Sequence, residues 1–135
     1  MKLKPKKIAH IGIAVEDLDE TLKIFSDLFG LECKFRKVIE EQQIEVAGVD
    51  IGESSLEFFM PLTRNSTVGR FIEKKGPGLH HIAFEVDSIK DWIEKLEKDE
   101  VKIIDKKPRK GASNHLISFL HPKSTGGILI ELEEY

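Results

Sequence analysis

Two histidines and two glutamates recur at matched positions of this chain, and together they make a donor set for a metal ion. Ile8-Ala9-His10-Ile11-Gly12-Ile13-Ala14-Val15 and Leu79-His80-His81-Ile82-Ala83-Phe84-Glu85-Val86 are near-copies. His10 falls on His81 with a shift of 81 − 10 = 71 positions, about half of the 135 residues. Leu56-Glu57-Phe58 and Ile130-Glu131-Leu132 match in the same way, each a carboxylate inside an apolar strand. An ionised carboxylate in such a strand is costly unless it is paired or bound to a cation. Two imidazoles and two carboxylates suit Zn²⁺, Co²⁺, Mn²⁺, Ni²⁺ or Fe²⁺ more than Ca²⁺, without choosing among them. Four ligands leave room on a six-coordinate ion for a substrate with two neighbouring oxygens. Taken singly, a strand histidine is more often structural, and a glutamate on a terminal strand often faces water. The twofold recurrence in matching contexts is what lifts the set above that bland alternative. His115 and His121 have no repeat partners and read as turn or surface residues.

The elements that must carry these residues repeat too. Strand 8–15 is followed by an N-cap at Asp17 with Glu20 three residues on, and Leu18, Leu22, Phe25 and Phe29 recur at helical spacing up to Gly30. Extended segments follow near 33–40, 43–51 and 55–61. In the second half, Ser88 caps a helix with Ile89, Trp92, Ile93 and Leu96 on one face, after strand 79–86. Strands are expected near 101–105, 114–120 and 127–134, with turns at 106–111 and 121–124. Between the halves, residues 66–75 read as a short helix ended by Gly76-Pro77-Gly78. Side chains alternate along a strand. His10 therefore shares a face with Ile8, Gly12 and Ala14, and His81 with Leu79, Ala83 and Glu85. His80 falls on the opposite, helix-side face, so of the two adjacent histidines only His81 is the partner of His10.

Length and composition fit one globular unit with a real core: 40% hydrophobic, 33% charged, formal net charge −3. No basic excess argues for nucleic acid. The start Met1-Lys2-Leu3-Lys4-Pro5-Lys6-Lys7 is basic but lacks the apolar run of a signal peptide, and no stretch could span a bilayer. The single Cys33 allows no internal disulfide. A cytoplasmic protein is the expectation.

These segments resemble the vicinal oxygen chelate superfamily, in which paired βαβββ modules curl around a metal. Within it the chain is similar to the methylmalonyl-CoA epimerase family. The resemblance runs from about Ile8 to Glu133. It is carried by His10–Val15, by Gly78–Ala83, and most selectively by Phe119-Leu120-His121-Pro122-Lys123-Ser124-Thr125-Gly126-Gly127-Ile128-Leu129-Ile130-Glu131-Leu132. It implies an α+β fold: two tandem βαβββ modules forming a curved, cup-like mixed sheet with helices outside. The whole chain, 1–135, would then be a single domain, with module one at about 8–62, a linking helix at about 66–75 and module two at about 79–134. It also implies His10, Glu57, His81 and Glu131 as ligands of one divalent ion, Co²⁺ favoured, with Mn²⁺, Zn²⁺, Ni²⁺ or Mg²⁺ admitted.

The activity implied is interconversion of (R)- and (S)-methylmalonyl-CoA by proton transfer at C2 through a metal-stabilised enolate. Glu45 and Glu131 would act as the two acid–base groups, and the partner would be a second copy of the chain in a homodimer. Some of Lys106, Lys107, Arg109, Lys110 and Lys123 would meet the nucleotide end of coenzyme A. The competing expectations are a glyoxalase I-type lactoylglutathione lyase or another enzyme of the superfamily, and a metal-free small-molecule binding protein. The His121–Gly127 stretch argues against the lyase, and the four retained ligands argue against the binding protein.

Overall fold

In a computed structural model, residues 2–135 are described, and the chain order is βαβββ, a linking helix, then βαβββ again. Among the described residues, eight strands and three α-helices make an α+β protein. The chain divides into two compact units, one made of the segment up to His10 together with His81–Tyr135, the other of Ile11–His80. Strand β1 (Lys7–Ala14) thus gives its first half to one unit and its second half to the other.

The Ile11–His80 unit holds α1 (Leu18–Phe29), β2 (Cys33–Ile39), β3 (Ile44–Ile51), β4 (Ser54–Pro61) and α2 (Thr67–Lys75), with strand order β2-β3-β4-β1. Helix α1 starts where expected, because the Asp17 carboxylate accepts the Glu20 N–H at 2.9 Å. It stops at Gly30, whose φ of 68° takes the chain out of the helix. The β3–β4 ladder is regular from Ile44 opposite Pro61 to Ile51 opposite Ser54, so alternation sorts its side chains cleanly. Ala47 and Val49 share one face with Leu56, Phe58 and Met60, and α1 covers it with Leu18, Leu22 and Phe25. Full burial of Leu18 and Phe58 stabilises this packing by about 1.5–3 kcal/mol each. Ile44, Val46, Gly48, Glu57 and Phe59 belong to the other face.

The second unit holds the rest of β5 (Gly78–Val86), then α3 (Ile89–Lys98), β6 (Arg109–Lys110), β7 (Leu116–Leu120) and β8 (Ile130–Glu134), in the order β1-β5-β8-β7-β6. Strands β5 and β8 are parallel; β8 and β7 are antiparallel. Ser88 caps α3, its Oγ accepting the Asp91 N–H at 3.2 Å, and Glu134 Oε1 accepts the Ile89 N–H at 2.8 Å. Ile89, Ile93 and Leu96 pack on Val86, Leu120, Ile130 and Leu132.

Three expectations from the sequence pattern fail here. Residues 101–105 form no strand: only Ile103 makes an isolated bridge, to Leu120. Asp105 instead closes the edge of β7, its carbonyl accepting from Ser118 Oγ at 2.7 Å and its carboxylate from Phe119 N–H at 2.9 Å. The short β6 lies within the segment read as a turn. Strand β8 begins at Ile130 rather than near 127, because Gly126 and Gly127 have φ of 73° and 92° and keep that approach out of the ladder. Among the described residues no helix is long and apolar enough to cross a membrane.

Candidate metal centre

The register of β5, β8 and β7 builds one polar face. Ala83 lies opposite Glu131 and Glu85 opposite Glu133 across the parallel pair. Phe119 lies opposite Glu131 and Ile117 opposite Glu133 on the other side. Alternation therefore brings His81, Glu131 and Glu133 to the same side, while Ile130 and Leu132 turn into the core under α3. His10 arrives from β1, and all four side chains are buried.

His10 Nε2 stands 3.1 Å from His81 Nε2. Glu131 Oε2 is 3.6 Å from His10 Nε2, and Glu131 Oε1 is 3.3 Å from His81 Nε2. One ligand atom from each of the three residues lies within 4.8 Å of the others. Two nitrogens 3.1 Å apart cannot both point a proton at each other, so at least one offers a lone pair. Burial, reinforced by the neighbouring His10, holds the His81 imidazole down to about 3, so it is neutral at ordinary pH. Burial, with the Glu133 carboxylate adding to it, pushes Glu131 up to about 7. A divalent cation would relieve that cost by favouring the ionised carboxylate and using the imidazole lone pairs. Two imidazole nitrogens and a carboxylate directed at one place fit such an ion.

The strand-face argument separates the adjacent histidines. His80 is half-buried, its ring 4.7 Å from Phe71 of α2 and 6.4 Å from Phe59. His81 meets Phe119 edge-on at 5.2 Å. Glu57 is buried on β4 of the Ile11–His80 unit, opposite Gly48. Glu45 sits on β3 of that unit, on the α1-covered face and so on the opposite side of the ladder from Glu57. There Arg36 donates through Nε to Glu45 Oε2 at 2.8 Å and through Nη1 to Asp19 of α1 at 2.6 Å. Of the basic side chains near β7, Arg109 is bonded to Asp105 at 3.1 Å and lies over the Phe119 ring at 5.8 Å.

Sequence reasoning overlooked Glu133. Its Oε1 accepts from His10 Nδ1 at 3.1 Å. Its Oε2 accepts from Ser113 Oγ at 2.8 Å and from His115 Nδ1 at 3.2 Å. Burial alone would raise this carboxyl, but the bonds from His10, Ser113 and His115 outweigh it and hold the group below the usual range. The available signal was the period of two, which puts Glu133 on the same side as Glu131. His115, read as a turn or surface residue, does precede β7, yet its ring engages this buried carboxylate. His121 caps the turn at 122–124, its Nδ1 accepting the Lys123 N–H at 3.0 Å.

Residues 9–119 match the profile of the Glyoxalase/Bleomycin resistance protein/Dioxygenase superfamily. The human mitochondrial methylmalonyl-CoA epimerase is 33% identical over 129 residues, which cover 95% of this chain and 73% of that protein. The crystal structure of methylmalonyl-CoA epimerase from Mycobacterium tuberculosis superposes with a TM-score of 0.93 at 29% identity, covering 99% of this chain and 91% of that one. A methylmalonyl-CoA epimerase solved in complex with methylmalonyl-CoA and NH4+ gives a TM-score of 0.90 at 34% identity, with 97% and 95% covered. The chain belongs to the Glyoxalase/Bleomycin resistance protein/Dioxygenase superfamily, and it resembles methylmalonyl-CoA epimerases along nearly its whole length.

Proposed function

We propose that this chain is a metal-dependent epimerase that interconverts the (R) and (S) forms of methylmalonyl-CoA. The observation that carries the proposal is the buried convergence of His10 Nε2, His81 Nε2 and the Glu131 carboxylate, in a chain similar throughout to epimerases of that substrate. Glu57, the repeat counterpart of Glu131, completes the proposed ligand set. Co²⁺ is the favoured ion, with Mn²⁺, Zn²⁺, Ni²⁺ or Mg²⁺ as substitutes. The proposal extends to a cytoplasmic homodimer, whose assembly sedimentation would test.

The reaction removes a proton from C2, between a thioester and a carboxylate, and returns one to the opposite face. A bound divalent cation would supply Lewis-acid stabilisation of the negative charge that develops on the substrate oxygens. Glu131 is proposed to exchange the proton on one face, from the position on β8 that brings its carboxylate to His10 and His81. Ala83 and Phe119 flank it on the two neighbouring strands. Sequence resemblance offers Glu45 for the other face, but its position on the α1-covered face and its bonds from Arg36 weigh against it.

The experiment is epimerisation of a single methylmalonyl-CoA epimer, coupled to a stereospecific mutase, before and after chelation and readdition of Co²⁺. Metal-independent turnover, or no turnover with any of the named ions, would overturn the proposal.

A further inference from the structure

We propose that Glu133 is the positioning residue of the metal site: it accepts the Nδ1 proton of His10 and so turns the Nε2 lone pair of that imidazole towards His81 and Glu131. The inference rests on the metal-dependent reading above. It assigns a role to a carboxylate buried to 1% exposure, which that reading leaves unused.

The geometry selects one tautomer. A neutral imidazole carries its proton on either nitrogen, and the partner of one nitrogen decides what the other offers. Here Nδ1 faces a carboxylate oxygen at 3.1 Å, an acceptor with no proton to give when ionised. Nε2 is thereby left as an acceptor, on the side where His81 Nε2 and Glu131 Oε2 lie.

Glu133 is itself fixed. Ser113 and His115 both reach its second oxygen, and the His115 ring stacks on Tyr135 at 3.8 Å with 19° between the planes. Strand β8 thus carries two carboxylates two residues apart with different tasks. Glu131 points at the ligand position, whereas Glu133 stands behind His10. The other buried glutamate on this face, Glu85, is not a competitor for the role, because Lys6 and Lys7 hold it at 3.4 and 3.8 Å. A carboxylate behind a ligating imidazole sets the ring's orientation and raises its basicity, and its loss costs about 10–100-fold in metal affinity.

The test uses the full chain and two substitutions, Glu133→Leu, which removes the acceptor, and Glu133→Gln, which keeps an acceptor oxygen without the charge. Two readouts are taken: the ¹⁵N tautomer pattern of His10 after chelation, and the affinity for Co²⁺ by competition with a chromophoric chelator. Wild type is expected to show His10 protonated on Nδ1. Glu133→Leu should lose that pattern and bind Co²⁺ about 10–100-fold more weakly, with Glu133→Gln in between. A structural role alone would lower stability and leave the tautomer unchanged, so the nitrogen spectrum separates the two. Should Glu133→Leu fail to fold, the wild-type tautomer and the Gln variant carry the test. His10 protonated on Nε2 in wild type, or Co²⁺ affinity unchanged in a folded variant, would overturn the inference. Failure of wild type to take up Co²⁺ would instead sink the metal reading beneath it.

Discussion

His80 and His81 are consecutive, yet they serve opposite faces of β5: the first packs its ring on Phe71 at 4.7 Å, and the second brings Nε2 to 3.1 Å from His10. Only the second can share a cation with His10. His81→Ala should therefore weaken Co²⁺ binding by more than the roughly 10–100-fold that an outer partner costs. His80→Ala should leave affinity within about threefold, and loss of its aromatic contact should cost about 0.5–1.5 kcal/mol in urea unfolding. Calorimetric titration of both variants checks this, and equal loss in the two would refute the face assignment.

Much of this was legible in the sequence because local rules and tertiary packing agree there. Asp17 and Ser88 cap the helices they precede, and the His10 and His81 strands alternate as their residues require. Where the sequence misleads, a side chain competes with the backbone ladder. Val101 to Asp105 has the composition of a strand and Ile103 bridges Leu120, but the Asp105 carboxylate takes the Phe119 N–H and the ladder goes no further. Glu133 is hidden in the sequence because it stands in an acidic chain end, Glu131-Leu132-Glu133-Glu134, where one charge resembles another. Its burial depends on His10, more than a hundred residues earlier, and no local pattern reports such a partner. The two βαβββ repeats are legible in the sequence, whereas the division of β1 between two compact units is a property of three-dimensional contacts alone.

Metal removal should be visible in stability as well as in turnover. An ion that binds the folded chain and not the unfolded one adds about 2.7 kcal/mol at a free concentration 100 times Kd. Chelation should accordingly lower Tm by several degrees and abolish epimerisation, and Co²⁺ should restore both. Differential scanning calorimetry with and without chelator measures the first. An unchanged Tm across a saturating Co²⁺ titration would count against the site.

Substrate choice separates the epimerase from its nearest rival. The chain should interconvert the methylmalonyl-CoA epimers and show little turnover of methylglyoxal with glutathione. A substituent one methylene larger at C2 should be tolerated to within about 10–200-fold, since a methylene in an apolar pocket is worth only about 1–3 kcal/mol. Side-by-side kcat/KM values decide the matter. Efficient lyase activity without epimerisation would keep the metal site and replace the named reaction.

Glu45 is the residue for which sequence resemblance and geometry pull apart, and one substitution decides between them. Glu45→Gln keeps size and polarity but exchanges no proton as acid or base. If Glu45 is the second base, epimerisation should fall by about 10²–10⁴-fold, the usual worth of such a group. In D₂O, the epimer whose proton faces Glu131 should then still exchange with retention, and its mirror partner at C2 should not. The ladder predicts the milder result. Glu45 shares the α1-covered face with Ala47 and Val49, away from Glu57, and Arg36 ties it to the same network as Asp19. A partly exposed ion pair of this kind is worth about 0.2–1 kcal/mol. We therefore expect Glu45→Gln to retain epimerisation within a few-fold, keep its metal, and lose no more than that much stability. Arg36→Met should behave alike, because it breaks the same pair from the other side. A hundredfold fall in the first variant with activity retained in the second would make Glu45 a base after all, one that works with its arginine released.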